Sequence, residues 1–344
     1  MKKLLNLLFF VTAIAFSQQP YYNDVNLTLT GEALFNELQV KISQHNQNFN
    51  YGDARDVLFF TDEDPDDSAK VLLVYGYNDN DGNCTTDRSR LKTDFGGMVC
   101  EYNREHVFAR TRSNPSMGNA NNAATGIIAD PHNIRACDQQ MNNNKGDRKF
   151  QDGSGNAAVV NGNFYPGDEW KGDMARMMMY MYTRYGDQCL PSLMGEGALQ
   201  SGTQMLQMYL QWNVDDPVNE YEDQRNDYLE GVYGNRNPFI DNPALATIIW
   251  GGPLAEDRWG LLSTHTVTAF DFVMYPNPSN GTTVTITSTT TLEQVIVYNA
   301  RGQIVFEVDP KTANIVEINN LESGLYFVQL LSNQGNNTKK LIVN

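Results

Sequence analysis

Apolar positions along this chain of 344 residues change rhythm three times. Behind Lys2 and Lys3, Leu4 to Phe16 is one continuous apolar run, too short to cross a bilayer. It ends at Ala15-Phe16-Ser17, the small-x-small pattern that a signal peptidase cuts. Residues 1–18 therefore read as a signal peptide, with the mature start near Gln18 or Gln19. No later run is long and apolar enough to span a membrane, so a soluble mature chain is expected.

From residue 19 to about 265 the apolar spacing is mainly helical. Leu34, Leu38 and Ile42 recur one turn apart, Phe35 widens their face, and Thr30 is placed to cap it. Asp168 to Tyr185 predicts a second helix, closed by Gly186. Its stripe of Met174, Met177, Met178 and Met181 is widened by Ala175, Met179 and Tyr182, a pattern of burial on most sides. Core packing is a better account of those methionines than a partner groove. Met205 to Trp212 and Glu220 to Tyr233 predict two more helices.

Between the first two helices the pattern shortens. Val71 to Tyr77, Met98 to His106 and Ile127 to Arg135 read as strands, and Cys137 to Asn144 as the start of a helix. Ser113 to Gly126, rich in Asn, Gly, Ser and Ala, reads as a surface loop. The expectation is an α+β domain, rich in helix, with one small β element.

The third rhythm occupies residues 266–344, a linker and a small all-β sandwich. Strands are predicted at Val284 to Ser288, Gln294 to Tyr298, Ile304 to Val308, Ile315 to Ile318, Tyr326 to Leu331 and Lys339 to Val343. Asn299-Ala300-Arg301-Gly302 and Ser332-Asn333-Gln334-Gly335 supply hairpin turns.

A formal net charge of −16 argues against a protein that coats nucleic acid through many phosphate contacts. The acid is unevenly spread, however. Asp62 to Asp67 and Asp79 to Asp81 lie upstream, whereas Arg104, Arg110, Arg112, Arg135, Lys145, Arg148 and Lys149 make a locally basic stretch. Asn78 to Asn83 lacks the spacing of a calcium-binding loop and reads as a solvated turn. Cys84, Cys100, Cys137 and Cys189 permit two disulfides in an exported chain, in any of three pairings.

The basic stretch also holds the chemistry. Glu105 and His106 are adjacent at a strand end, and Asn142 follows on a predicted helix. Neutral imidazole is a suitable base for water. Mg²⁺ prefers oxygen ligands and keeps several waters, so one carboxylate and one amide oxygen are a credible protein share. Arg110, Arg112, Arg135 and Lys145 are candidates to meet phosphate charge. His132 reads as a structural hydrogen-bonding residue, and His45 and His265 have no supporting neighbours.

Tyr102 to Val107, Asp130 to Arg135, Met141 to Gly146, Gly172 to Arg176, Asp216-Pro217-Val218, Arg225-Asn226 and Gly234 to Ile240 together resemble the endonuclease I family. That resemblance spans the region between leader and tail, residues 19–265. It implies a ββα-metal (His-Me finger) core and a secreted, Mg²⁺-dependent endonuclease that cuts DNA, and often RNA, with little sequence preference. It further implies His106 as general base and Glu105 and Asn142 as metal ligands. A transition-state arginine also belongs to the pattern; Arg110 is the choice here, with Arg112 behind it, and Arg112, Arg135 and Lys145 are expected as substrate contacts from the basic stretch itself. Lys145 and Asp147 stand where many relatives carry Arg and Asn, and Pro131 where Leu or Ala is common.

The tail resembles the C-terminal sorting domain of type IX secretion. The matching residues are Tyr275-Pro276-Asn277-Pro278, Val297-Tyr298-Asn299, Ser323 to Val328 and Lys339 to Val343. Type IX machinery is thereby implied as a partner, with an extracellular or surface-attached product; a monomer is expected. The competing reading is a catalytically weak nucleic-acid-binding or adhesive protein on the same fold. An intact Glu105, His106 and Asn142 set counts against it.

Overall fold

In the computed structural model the described residues are 18–264, 272–280, 283–288, 290–311, 313–332 and 335–344. The expected leader lies outside them except for Gln18, as does His265. The chain divides after Leu261 into two compact units, taken separately below.

The first unit opens with α1 (Gly31–Ser43), which buries Leu34, Leu38 and Ile42 completely, as their spacing predicts. A second helix, α2 (Tyr51–Thr61), was not predicted. Its signal is a capping box: Asn50 accepts from the backbone of Gly52 and Asp53, while the Asp53 side chain accepts from the Asn50 backbone. A hairpin of β1 (Glu63–Asp64) and β2 (Asp67–Leu72) is joined by β3 (Ser89–Leu91) into an antiparallel sheet. The predicted strand Val71 to Tyr77 thus begins earlier and ends at Leu72. Leu73 and Val74 continue as buried irregular chain, bonded to the carbonyls of Arg88 and Ala136.

Two further strands pair antiparallel: β4 (Tyr102–His106) and β5 (Ile134–Asp138). Met98 to Glu101 is a turn rather than strand, because the Glu101 side chain accepts from the Met98 backbone and closes it. The strand expected at Ile127 is also displaced. Gly126–Ala129 and Pro131–Asn133 are single 3-10 turns, and extended chain begins only at Ile134. Pro131 has no N–H to offer a ladder, and Asp130 instead caps the backbone of His132. α3 (Gln139–Lys145) follows, its first turn capped by Asp138.

A short hairpin, β6 (Ala158–Val160) with β7 (Asn163–Tyr165), precedes α4 (Lys171–Tyr185). Met174, Met177, Met178, Met179 and Met181 on α4 are all buried in the main core, against helices on several sides. The remaining helices are α5 (Pro191–Met194), α6 (Gln207–Asp215), α7 (Glu220–Tyr233), α8 (Pro238–Asp241) and α9 (Ala244–Trp250), and α10 (Leu261–Thr264) starts at the division between the units. Among the described residues no helix is long and apolar enough to cross a membrane.

Charge is buried in this unit as well. Asp62, far from being part of a solvated acidic run, is completely buried and receives Arg225 and Tyr221. Arg176 on α4 grips Glu222 on α7 through two bonds, of 2.7 and 2.5 Å, with Asp173 at 3.7 Å. Cys84 and Cys100 form a disulfide, whereas Cys137 and Cys189 are buried free thiols.

The second unit is two antiparallel sheets. One runs β11-β10-β13-β14 and the other β12-β9-β8. Their ranges are β8 (Phe272–Tyr275), β9 (Thr283–Ser288), β10 (Leu292–Asn299), β11 (Ile304–Val308), β12 (Ile315–Asn319), β13 (Gly324–Ser332) and β14 (Gly335–Val343). Alternate residues of both sheets, including Phe272, Ile286, Val297, Val328 and Leu341, meet in one apolar core. At the predicted turn Asn299 accepts from Arg301 and Gln303, and Gly302 takes the left-handed conformation (φ 76°) that favours glycine. The other predicted turn joins Ser332 to Gly335; its central residues, Asn333 and Gln334, lie outside the described set.

Candidate active site

β4 ends at a cleft of about 330 Å³ that Glu105, His106 and Asn142 line together. Glu105 lies opposite Arg135 in the ladder and His106 opposite Ile134. α3 follows β5 directly and carries Asn142 to the same cleft. Strand, strand and helix thus bring together the three residues expected from sequence to do the chemistry.

His106 is buried, and its Nε2 lies 2.8 Å from the carbonyl oxygen of Ile128. A carbonyl only accepts, so Nε2 carries the proton and the lone pair falls on Nδ1. Burial pushes the imidazole down to about 4, and the charges of Arg110, Arg104 and Lys145 push the same way against the Ile128 bond. The ring is therefore neutral at pH 7. Tyr51 stacks on it, ring centres 5.2 Å apart.

Glu105 is buried beside it. Lys145 Nζ lies 2.9 Å from its Oε1, and the Tyr75 hydroxyl donates to the same oxygen at 3.3 Å. Oε2 is the oxygen left for a ligand in the cleft. Burial raises the carboxyl's pKa, and the Lys145 charge opposes that rise. Asn142 donates from its amide nitrogen to Asn103 Oδ1 (2.7 Å) and to the backbone carbonyl of Arg104 (3.3 Å). A carbonyl partner identifies that end as the nitrogen and leaves Oδ1 to accept. One carboxylate oxygen and one amide oxygen suit a hard cation that keeps most of its water. Among the described residues no group of three or more His, Cys, Asp or Glu side chains is arranged to hold a metal.

The cations expected to meet phosphate separate in the fold. Arg110 lines the cleft, donating to the carbonyl of Gly118 at 2.8 Å. Arg112 lies one step out, held by a 2.7 Å bond from Nε to the carbonyl of Asp147. Lys145 is wholly buried behind Glu105, where it also donates to the Val107 carbonyl at 3.0 Å. Arg135 is not at the cleft surface. It is 1% exposed, donates to Asp173 at 3.0 Å and to Tyr221, and packs its guanidinium against the Tyr221 and Trp170 rings. Its burial between Asp173 and Tyr221 keeps the guanidinium expected to contact substrate out of the cleft.

Two cleft residues escaped sequence reasoning. Arg104 lies over the Tyr51 ring at 3.6 Å and donates to the Tyr51 carbonyl and to Asn122. Arg104 was visible only as part of a basic stretch, and Tyr51 lay on an unpredicted helix. His132 is buried with Nε2 3.3 Å from the Asn235 carbonyl, as a structural residue should be. A larger cleft, about 660 Å³, lies around Phe35, Tyr182, Gln200 and Trp250. None of its lining residues is a cation, so it has no positive side chain to meet a phosphate.

Comparison with known proteins identifies the family. Residues 30–244 match the family described as Endonuclease I, and residues 273–344 the secretion system C-terminal sorting domain. An extracellular ribonuclease of Bacillus amyloliquefaciens is 36% identical over 244 residues, covering 67% of this chain and 78% of that protein. Another, from Bacillus subtilis strain 168, is 38% identical over 235 residues, covering 64% and 75%. Among solved structures, a type IX secretion surface component of Porphyromonas gingivalis is 19% identical over 21% of this chain and 11% of that one. Its TM-score is 0.19, too low to carry any argument.

Proposed function

Because this chain belongs to the endonuclease I family, and is thus a secreted phosphodiester hydrolase, we propose that it is an Mg²⁺-dependent, largely non-specific endonuclease. DNA and RNA are both substrates in this reading, and the products carry 5′-phosphates. What carries the reading is the convergence of three unengaged atoms on one cleft: Nδ1 of His106, Oε2 of Glu105 and Oδ1 of Asn142.

His106 Nδ1 takes the proton from the water that attacks phosphorus, and the Nε2 bond to Ile128 holds the ring for that transfer. The P–O3′ bond breaks, with the departing 3′ oxygen taking a proton from solvent. Glu105 Oε2 and Asn142 Oδ1 would hold Mg²⁺. When bound, the ion supplies positive charge to the phosphate oxygens. Arg110 faces the charge that grows in the transition state, and Arg104 extends the cationic rim. The depressed imidazole pKa keeps the base unprotonated at neutral pH.

A second reading differs in substrate. The two Bacillus relatives are named as ribonucleases, which favours RNA as the principal substrate here too. Supercoiled plasmid and a long RNA, each incubated with Mg²⁺ or with EDTA beside His106→Ala, test both readings. Metal-dependent cutting by the parent and its loss in the variant are expected. Cutting that EDTA or His106→Ala leaves intact overturns the site, and the relative rates decide between DNA and RNA. End-labelling tests the 5′-phosphate.

A further inference from the structure

Among the described residues around the cleft, Lys145 is the one cation that no solvent reaches, and it is paired with the proposed metal ligand. Its ammonium lies 2.9 Å from Glu105 Oε1, 3.0 Å from the Val107 carbonyl and 3.5 Å from the His106 carbonyl. It therefore ties the last turn of α3 to the end of β4, three residues after Asn142 on the same helix. The two oxygens proposed to hold Mg²⁺ stand on the two elements that Lys145 joins.

The charge of that arrangement has a consequence. Glu105 is the sole carboxylate of the proposed ligand pair, and a buried ammonium already touches it. Arg104 and Arg110 add two more positive charges to the lining, against Asp147 alone besides Glu105. A divalent cation entering without substrate meets two protein donors and a positive surround, and interactions inside a partly buried cleft are weakly screened. A nucleic-acid phosphate reverses that balance and adds further oxygen donors.

We infer that Lys145 is a positioning residue that neutralises Glu105, so the enzyme holds its divalent cation firmly only together with a substrate phosphate. The inference rests on the ligand assignment proposed above. Linkage makes the effect reciprocal: the cation tightens the nucleic acid by the same factor.

The test measures Mn²⁺ affinity, by electron paramagnetic resonance or calorimetry, on the full mature His106→Ala protein with and without a short DNA oligonucleotide. At least tenfold tighter Mn²⁺ binding is expected with the oligonucleotide; equal affinity in its absence overturns the inference. This measurement leaves Lys145 untouched, so it decides the matter even where a variant fails to fold. In the same background Lys145→Met is expected to shrink the coupling at least threefold, the share left being that of Arg104, Arg110 and the phosphate oxygens, while Lys145→Arg keeps it. Full coupling in Lys145→Met also overturns the inference. Glu105→Gln separates the two levels of the argument. If it leaves Mn²⁺ affinity unchanged in the presence of oligonucleotide, the ligand assignment itself fails. If it abolishes binding while oligonucleotide has no effect on the parent, only the role of Lys145 fails.

Discussion

Nε2 of His106 donates to the backbone carbonyl of Ile128 across 2.8 Å, a bond that reaches over 22 residues of chain. It sets the tautomer, and the tautomer decides which nitrogen is basic. His106→Ala is therefore expected to lower kcat by roughly 10²–10⁴-fold, the usual contribution of a positioned base. Plasmid nicking and thermal melting measured together check this. A variant that cuts as fast as the parent removes His106 from the mechanism.

Arg110 and Arg112 are two residues apart, yet only Arg110 lines the cleft. Arg110→Ala should cost about 10²-fold in kcat, the order seen when one donor to a developing charge is removed. Arg112→Ala should cost far less and act mainly on KM. Steady-state kinetics on the two variants rank them, and the reverse order would assign the transition-state role to Arg112.

Arg135 shares its surroundings with two acids, Asp173 at 3.0 Å and Asp62 at 3.4 Å. Arg135→Met leaves those buried carboxylates short of a partner, which typically costs about 3–5 kcal/mol. The loss should appear as a lower midpoint in urea unfolding. A fully stable variant with weakened substrate binding would instead restore the substrate contact first expected from sequence.

His132 supplies a pH dependence away from the proposed metal ligands. Burial, with the charges of Arg225 and Arg184, pushes its folded-state pKa down to about 3, against the opposing pull of Asp130 and the Asn235 bond. An unfolded histidine titrates near 6.5, so below that pH the unfolded chain binds a proton that the folded chain refuses. Stability is complete above about 6.5 and is lost as pH falls toward 3. Between pH 7.5 and 4.5 the parent should lose on the order of 2–3 kcal/mol more than His132→Gln. Urea unfolding at both pH values gives the difference, and parallel losses in the two proteins would remove His132 as the cause.

Much of the scaffold was legible because its signals are local. Leu34, Leu38 and Ile42 lie on one helical face, and alternation in the tail marks half-buried strands. The misplacements have local causes too. Pro131 and the Asp130 cap break extended chain before Ile134, and α2 announces itself only through Asn50 and Asp53. Periodicity alone carries neither kind of signal.

Glu105, His106 and Asn142 were readable from sequence because a short β4–β5–α3 segment carries all three, and neighbouring elements meet with few alternatives. The destinations of the cations were not. Arg135 is buried by Asp62 and Tyr221, 73 residues before it and 86 after it. Lys145 is buried by Glu105 and the carbonyls that follow. A long charged side chain looks the same in sequence whether it meets solvent or a buried acid. The sequence by itself determined the secondary rhythm and singled out three residues that the fold brings to one cleft. Only the tertiary structure decided which positive charges line the cleft and which are buried, because that depends on partners distant along the chain.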